Sequence, residues 1–164
     1  MDKHPKKQKI LLVLIVLTLC FIWGNSLMPA TFSGAISGWA KNVLNAILGD
    51  MGNSGMSGDG VLRKIAHASE FAVLGVLLTL LMEEECKTKL SFLVLYGLGV
   101  AFVDETIQLF VDGRSGQIQD VWIDLAGFVV GVAIVGAILL LVYSRNTRRL
   151  HRVNGSTHNN KLVR

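Results

Sequence analysis

The chain has 164 residues, of which 51% are hydrophobic and 17% charged, with a mean hydropathy of +0.50. This is too apolar for a soluble domain of that size, and the +4 net charge sits mostly in basic tails and loops flanking the apolar runs, which reads as a topological signal and not as a nucleic-acid surface. The composition predicts an all-α, polytopic membrane protein, a single transmembrane domain over residues 1–164 with its core at about 10–143 and basic tails at 1–9 and 144–164.

Four apolar runs set the order of elements. The first, Ile10 to Trp23, follows the basic stretch "MDKHPKKQK" and has the outline of a secretory signal, but Leu19 before Cys20 is bulkier than a lipoprotein cleavage site accepts, so a retained span is expected. Cys20 falls inside this run and Cys86 in a loop, so depth and compartment predict two unpaired thiols. Residues 26–60 form the longest connection. Within it, "AISGWAKNVLNAILG" places Ile36, Trp39, Val43, Leu44, Ile47 and Leu48 on one helical face, which predicts an external interfacial helix lying on the outer leaflet or packed on the bundle. The glycine-rich "GDMGNSGMSGDG" reads as a connector, and Asp59 as the cap of a helix starting near Val61.

The second run spans Ile65 to Met82, the third Leu90 to Val111 and the fourth Ile118 to Tyr143. The last contains Gly127 and Gly131 at GxxxG spacing, expected to seat the fourth span against the third. The N-terminal tail carries four Lys or Arg residues, the loop "EEECKTK" two and the segment after Tyr143 six, against Lys41, Arg63, Lys64 and Arg114 on the other side. The positive-inside rule then predicts a multi-pass protein of the cell membrane with four spans and both termini cytoplasmic.

Against this background the segment "VDETIQLFVDGRSGQIQDVWID", residues 103–124, is anomalous, because it carries five carboxylates between two spans. An ionised side chain at the bilayer centre costs roughly 2.5–3.5 kcal/mol on the insertion scale, so such groups are expected to face a cavity or one another. Counted inward from Lys64, Asp112 and Gln117, the residues Glu70, Glu105 and Asp124 each lie about 10 Å deep. His67, Gln108 and Asp120 form a shallower tier, and Arg63, Lys64 and Arg114 stand at the mouth. Spacings of three, four or seven residues put Arg63, His67 and Glu70 on one face, Glu105 and Gln108 on another, and Asp120 and Asp124 on a third. These nine residues are the candidates for an outward-opening polar pocket. Glu70, Asp104, Glu105, Asp112, Asp120 and Asp124 outnumber the three permanent cations, so internal salt bridges alone do not balance the cluster. No resident cofactor is expected; were a hard divalent cation to bind, Glu105, Asp120 and Asp124 would be the oxygen ligands.

The pieces "NSLMP", "RKIAHASEF", "DETIQLFVDGRSGQIQDVWID" and "LAGFVVG", in this order over about residues 25–131, resemble the VanZ-like membrane proteins. The resemblance implies a small polytopic protein of the bacterial, mainly Gram-positive, cytoplasmic membrane, in a family whose namesake is associated with resistance to the glycopeptide teicoplanin. It places the family's polar residues on Lys64, His67, Glu70, Glu105, Gln108, Arg114, Asp120 and Asp124. The chain departs from the pattern at Ala68, where an aromatic is common, and at Phe71, where a tyrosine is usual, changes that leave the charged framework intact and weigh against a role for a tyrosine hydroxyl.

Two classes of function follow. In the first, the pocket binds a glycopeptide antibiotic or a lipid-linked envelope precursor without chemistry and so contributes to antibiotic resistance. In the second, the carboxylates and His67 act as acids and bases on a lipid head group. The chain has no GxSxG, P-loop or His-Glu-x-x-His motif, which weights the expectation toward the non-enzymatic class. The bilayer is the partner common to both; oligomeric state is not encoded in any pattern recognised in the sequence.

The orientation has a direct test. Cysteines introduced at Ser54 and Ser115 should react with a membrane-impermeant thiol reagent on intact cells, whereas cysteines at Thr88 and Ser144 should stay silent. Labelling at Thr88 with silence at Ser115 would invert the topology.

Overall fold

The computed structural model describes residues 5–29, 59–83, 90–114 and 116–162. Among the described residues the chain forms four α-helices: α1 (Pro5–Ser26), α2 (Asp59–Glu83), α3 (Leu90–Leu109) and α4 (Ile118–Leu162). Each contains a stretch long and apolar enough to cross a membrane, at Pro5–Ser26, Arg63–Met82, Leu90–Leu109 and Ile118–Arg145. Twenty helical residues rise about 30 Å, the thickness of the hydrocarbon core. The protein is a multi-pass membrane protein.

The fold class predicted from sequence needs one correction. The architecture is an all-α bundle of four apolar helices, and no fifth, external interfacial helix is present among the described residues. The segment from which that helix was inferred, residues 35–49, lies outside them. The physical reason for caution with such a pattern is general: a helix of about 15 residues is marginal in isolation and owes its stability to a packing partner, which an apolar stripe does not specify. A second difference is at the far end, where α4 continues as helix from the apolar run to Leu162.

The helix surfaces divide by solvent. Leu12, Leu17 and Phe21 on α1, Phe92, Leu95 and Phe102 on α3, and Val130, Ile138 and Leu140 on α4 are exposed, as suits side chains bathed in lipid. Cys20, an unpaired thiol, is also exposed. The inner faces bury Ile15 and Ile22 of α1, Phe71, Leu74 and Leu78 of α2, Leu93, Val100 and Ala101 of α3, and Val121, Phe128 and Val132 of α4 in one cluster. With lipid equally apolar, the hydrophobic effect does not pull these faces together; close van der Waals contact must.

That contact is made by glycine, and its location differs from expectation. The most extensive helix pair is α2 with α4. A Cβ on Gly127 would land on the backbone carbonyl of Ala68, one on Gly131 on that of Ala72, and one on Gly75 on that of Phe128. The GxxxG pair therefore seats α4 on α2, not on α3. Phe128 then fills the remaining angle: its fully buried ring lies over Gly97 of α3, where a Cβ would stand 2.5 Å from the ring.

Gly131→Ala should lower stability by about 1–3 kcal/mol, because the colliding atoms are backbone and cannot turn aside. Gly136→Ala, where nothing lies within 4 Å, should be neutral or stabilising. Thermal unfolding of both variants in one detergent decides this; equal behaviour would mean the α2–α4 seam tolerates separation.

Candidate functional site

The polar residues converge at one end of the bundle, where α1 ends, α2 begins, and α3 turns into α4. The turn is tight: Gly113 has a positive φ of 76°, and Arg114 N–H bonds back to the Val111 carbonyl at 3.1 Å. A left-handed residue at this point brings the start of α4 back beside the end of α3.

Three of the expected pocket residues act as joints between helices. Glu105 accepts the backbone N–H of Gln117, the residue that precedes α4 and whose carbonyl takes the Asp120 N–H at 2.8 Å. A carboxylate thereby ties α3 to the N-terminus of α4, where unpaired amides and the helix dipole favour negative charge. Arg114 donates through Nη2 to the Asn25 carbonyl at 2.9 Å and caps the C-terminal turn of α1, the end that favours a cation. Burial, with repulsion from Arg63, holds its guanidinium below the ordinary arginine value, while Asp104 and Glu105 oppose that shift. Glu70 accepts from Asn25 Nδ2 at 2.8 Å, which fastens α2 to α1. Lys64 pairs with Asp120 at 2.6 Å; this pair is partly exposed, where such bridges are worth under about 1 kcal/mol.

The innermost group is different. Asp104 has no exposed surface, Asp124 is 2% exposed and His67 8%. One potential donor atom from each lies within 4.8 Å of the other two. His67 Nδ1 stands 3.8 Å from Asp104 Oδ2, too far for a hydrogen bond. Gln108 Nε2 supports Asp104 from one side at 3.0 Å and also reaches Ser26 Oγ of α1 at 3.3 Å. Neither His67 Nδ1 nor Asp104 Oδ1 has a hydrogen-bond partner among the described residues.

A narrow cleft lined by Arg63, Lys64, His67, Gln108, Asp120, Ile123 and Asp124 leads to this group, with a cavity of about 10 Å³, the room of roughly one water. A second, larger depression of about 470 Å³ lies on the lipid face between α1 and α2, lined by Leu14, Leu17, Thr18, Phe21, Ser69, Glu70 and Val73. It is apolar along its length and meets Glu70.

Of the residues anticipated from sequence, Arg63, Lys64, His67, Gln108, Asp120 and Asp124 line the cleft, while Glu70, Glu105 and Arg114 serve the joints around it. The anticipated metal set of Glu105, Asp120 and Asp124 is not the one brought together; His67, Asp104 and Asp124 are. Sequence reasoning undervalued Asp104 and missed Asn25 and Ser26. The signal for Asp104 was its i, i+4 spacing to Gln108; for Asn25 and Ser26, which lie where α1 ends, it was their place in the "NSLMP" piece of the family resemblance.

With the geometry in view, the VanZ/LLP1 family profile matches residues 10–141, all four apolar runs and every residue of this site. The chain belongs to the VanZ/LLP1 family. No curated protein and no solved structure matches it.

The Asn25–Glu70 joint predicts a non-additive pair. Asn25→Ala should cost about 1–3 kcal/mol by leaving a buried carboxylate oxygen unpaired, and the double variant with Glu70→Leu should cost less than the sum of the two single changes. Strict additivity in a double-mutant cycle, measured by denaturation in detergent, would show that the bond carries no stability.

Proposed function

We propose that this VanZ-like protein is an intramembrane enzyme that acts on a lipid head group with its carboxylate and histidine cluster. The observation that carries the reading is the meeting of His67, Asp104 and Asp124, from three helices, where His67 and Asp124 line a cleft that also holds Arg63 and Lys64. An imidazole backed by one buried carboxylate and faced by another is the arrangement that proton transfer requires.

Each side chain has a role in this scheme. His67, at the cleft wall, takes the proton of the attacking hydroxyl or water; Asp104 behind it orients the ring, an interaction expected to shorten from 3.8 Å when substrate binds. Asp124, across the cleft, returns a proton to the leaving oxygen. Arg63 and Lys64 at the entrance suit an anionic head group such as a phosphate. The apolar depression between α1 and α2 supports a lipid substrate, because a chain lying along Leu14, Leu17 and Phe21 would hold its head group at the level of Glu70.

The size of the cleft sets this reading ahead of glycopeptide capture. A cavity of about 10 Å³ admits water or a small ion, and a glycopeptide would need a surface many times larger. Teicoplanin-type protection remains attached to the proposal as a consequence: an enzyme that alters an envelope lipid changes what the drug meets without binding the drug. The distribution of basic residues supports an orientation with this end of the bundle at the outer leaflet and the termini in the cytoplasm.

Purified protein in liposomes of bacterial lipid extract should convert at least one lipid to a product with an altered head group, followed by mass spectrometry. His67→Asn and Asp124→Asn should each slow this by about 10²-fold or more at unchanged protein levels, and Cys20→Ser should not. Absence of any product above protein-free liposomes would overturn the enzymatic reading.

A further inference from the structure

We infer that His67, Asp104 and Asp124 hold a single divalent transition-metal ion of the zinc or manganese type. The inference rests on the catalytic reading for its purpose, but its argument is geometric and its test reads metal content, not turnover.

The donor atoms meet the spatial requirement. Two ligands each about 2.1 Å from one ion stand about 3.4 Å apart in a tetrahedral arrangement. The His67 to Asp104 separation of 3.8 Å is longer than a hydrogen bond and close to that spread, and all three donor atoms fall within 4.8 Å of one another. Small rotations about the side-chain torsions close the difference.

The surroundings point the same way. Asp104 is fully buried, yet its Oδ1 has no partner among the described residues, and the buried His67 Nδ1 has none either. A buried polar atom left unpaired costs about 1–3 kcal/mol, so two such atoms on adjoining members of the triad call for a partner. Of the neighbouring cations, Lys64 pairs with Asp120 and Arg114 donates through Nη2 to the end of α1, while Arg114 Nε and Nη1 have no partner among the described residues. Gln108, which bonds Asp104 Oδ2, fixes the carboxylate from outside the triad, the usual task of a residue behind a metal ligand.

The ligand set selects the ion. One imidazole with two carboxylates suits zinc, manganese or iron, whereas magnesium and calcium prefer oxygen throughout. Three protein ligands leave a position open, and His67 and Asp124 both line the cleft, so that position faces it. Were the ion bound, His67 and Asp124 would serve as its ligands in place of the direct proton transfers proposed above, and the ion would supply the polarised water or head-group oxygen.

The experiment is elemental analysis and thermal unfolding of the full-length protein in detergent. Wild type should carry about one ion per chain, or bind one on addition of Zn²⁺ or Mn²⁺ with a rise in Tm of at least about 5 °C, reversed by chelator. Asp104→Asn and Asp124→Asn should lose both effects while remaining monodisperse, and Glu70→Gln, outside the triad, should keep them. Absence of a bound ion in wild type together with no response to Zn²⁺, Mn²⁺ or Mg²⁺ would overturn the inference. So would metal binding that survives in both aspartate variants. An ion bound without lipid turnover would leave the metal site standing and remove the enzyme; lipid turnover insensitive to chelator in an ion-free protein would do the reverse.

Discussion

The organising constraint is a carboxylate with no exposed surface inside a bundle that lies in lipid. Asp104 cannot be hydrated from the hydrocarbon side, so the groups around it must be supplied by other helices. Gln108 serves it from its own helix, Ser26 closes behind Gln108 from α1, His67 approaches from α2 and Asp124 from α4. All four spans are thereby committed to one point. In a membrane, where apolar faces have no preference for one another over lipid, a point of this kind can choose the arrangement of the helices as firmly as packing does.

The α2–α4 seam and the polar group are parts of the same device. Ala68, whose carbonyl receives Gly127, follows His67 directly, and Gly127 is three residues on from Asp124. The glycines let the two backbones touch one turn below the site, and this approach sets the span between His67 and Asp124. A larger side chain in the seam would therefore widen the triad as well as the bundle.

The four spans and the end of the bundle at which charge gathers were legible in the sequence, because length and hydropathy fix the first and helical rise fixes the second. Which carboxylates meet was not. Glu105 and Asp104 are neighbours, about 100° apart around α3, and a depth count cannot tell which of them faces inward; the turn at Gly113 decides that by returning α4 so that Gln117 N–H takes Glu105. The seating of Gly127 and Gly131 was misjudged for a related reason. Consecutive helices are usually neighbours, which favours α3, but the GxxxG face finds Ala68 and Ala72 on α2. Asn25 and Ser26 had no periodic pattern to give them a role, only their place in "NSLMP", since a helix end that supplies two polar groups to a site reads as the start of a loop. The stripe between residues 36 and 48 was equally silent on what, if anything, it packs against.

The ionisable residues separate into two kinds by what they already bond. Glu105, Glu70, Arg114, Lys64 and Asp120 are engaged with an amide, an asparagine, a carbonyl or each other, and each such bond joins two helices or seals the entrance. Joints of this type repay part of the cost of burying charge, and they account for most of the charge in this segment without invoking any reaction. His67, Asp104 and Asp124 are the remainder. With Glu105 they are the most buried of the described ionisable groups, they stand together, and His67 Nδ1 and Asp104 Oδ1 have no hydrogen-bond partner among the described residues. Burial without full pairing is expensive, and an apolar substitution at these positions would build a more comfortable bundle. That cost is consistent with side chains held for a partner, and two of the three, His67 and Asp124, line the cleft that begins at Arg63 and Lys64.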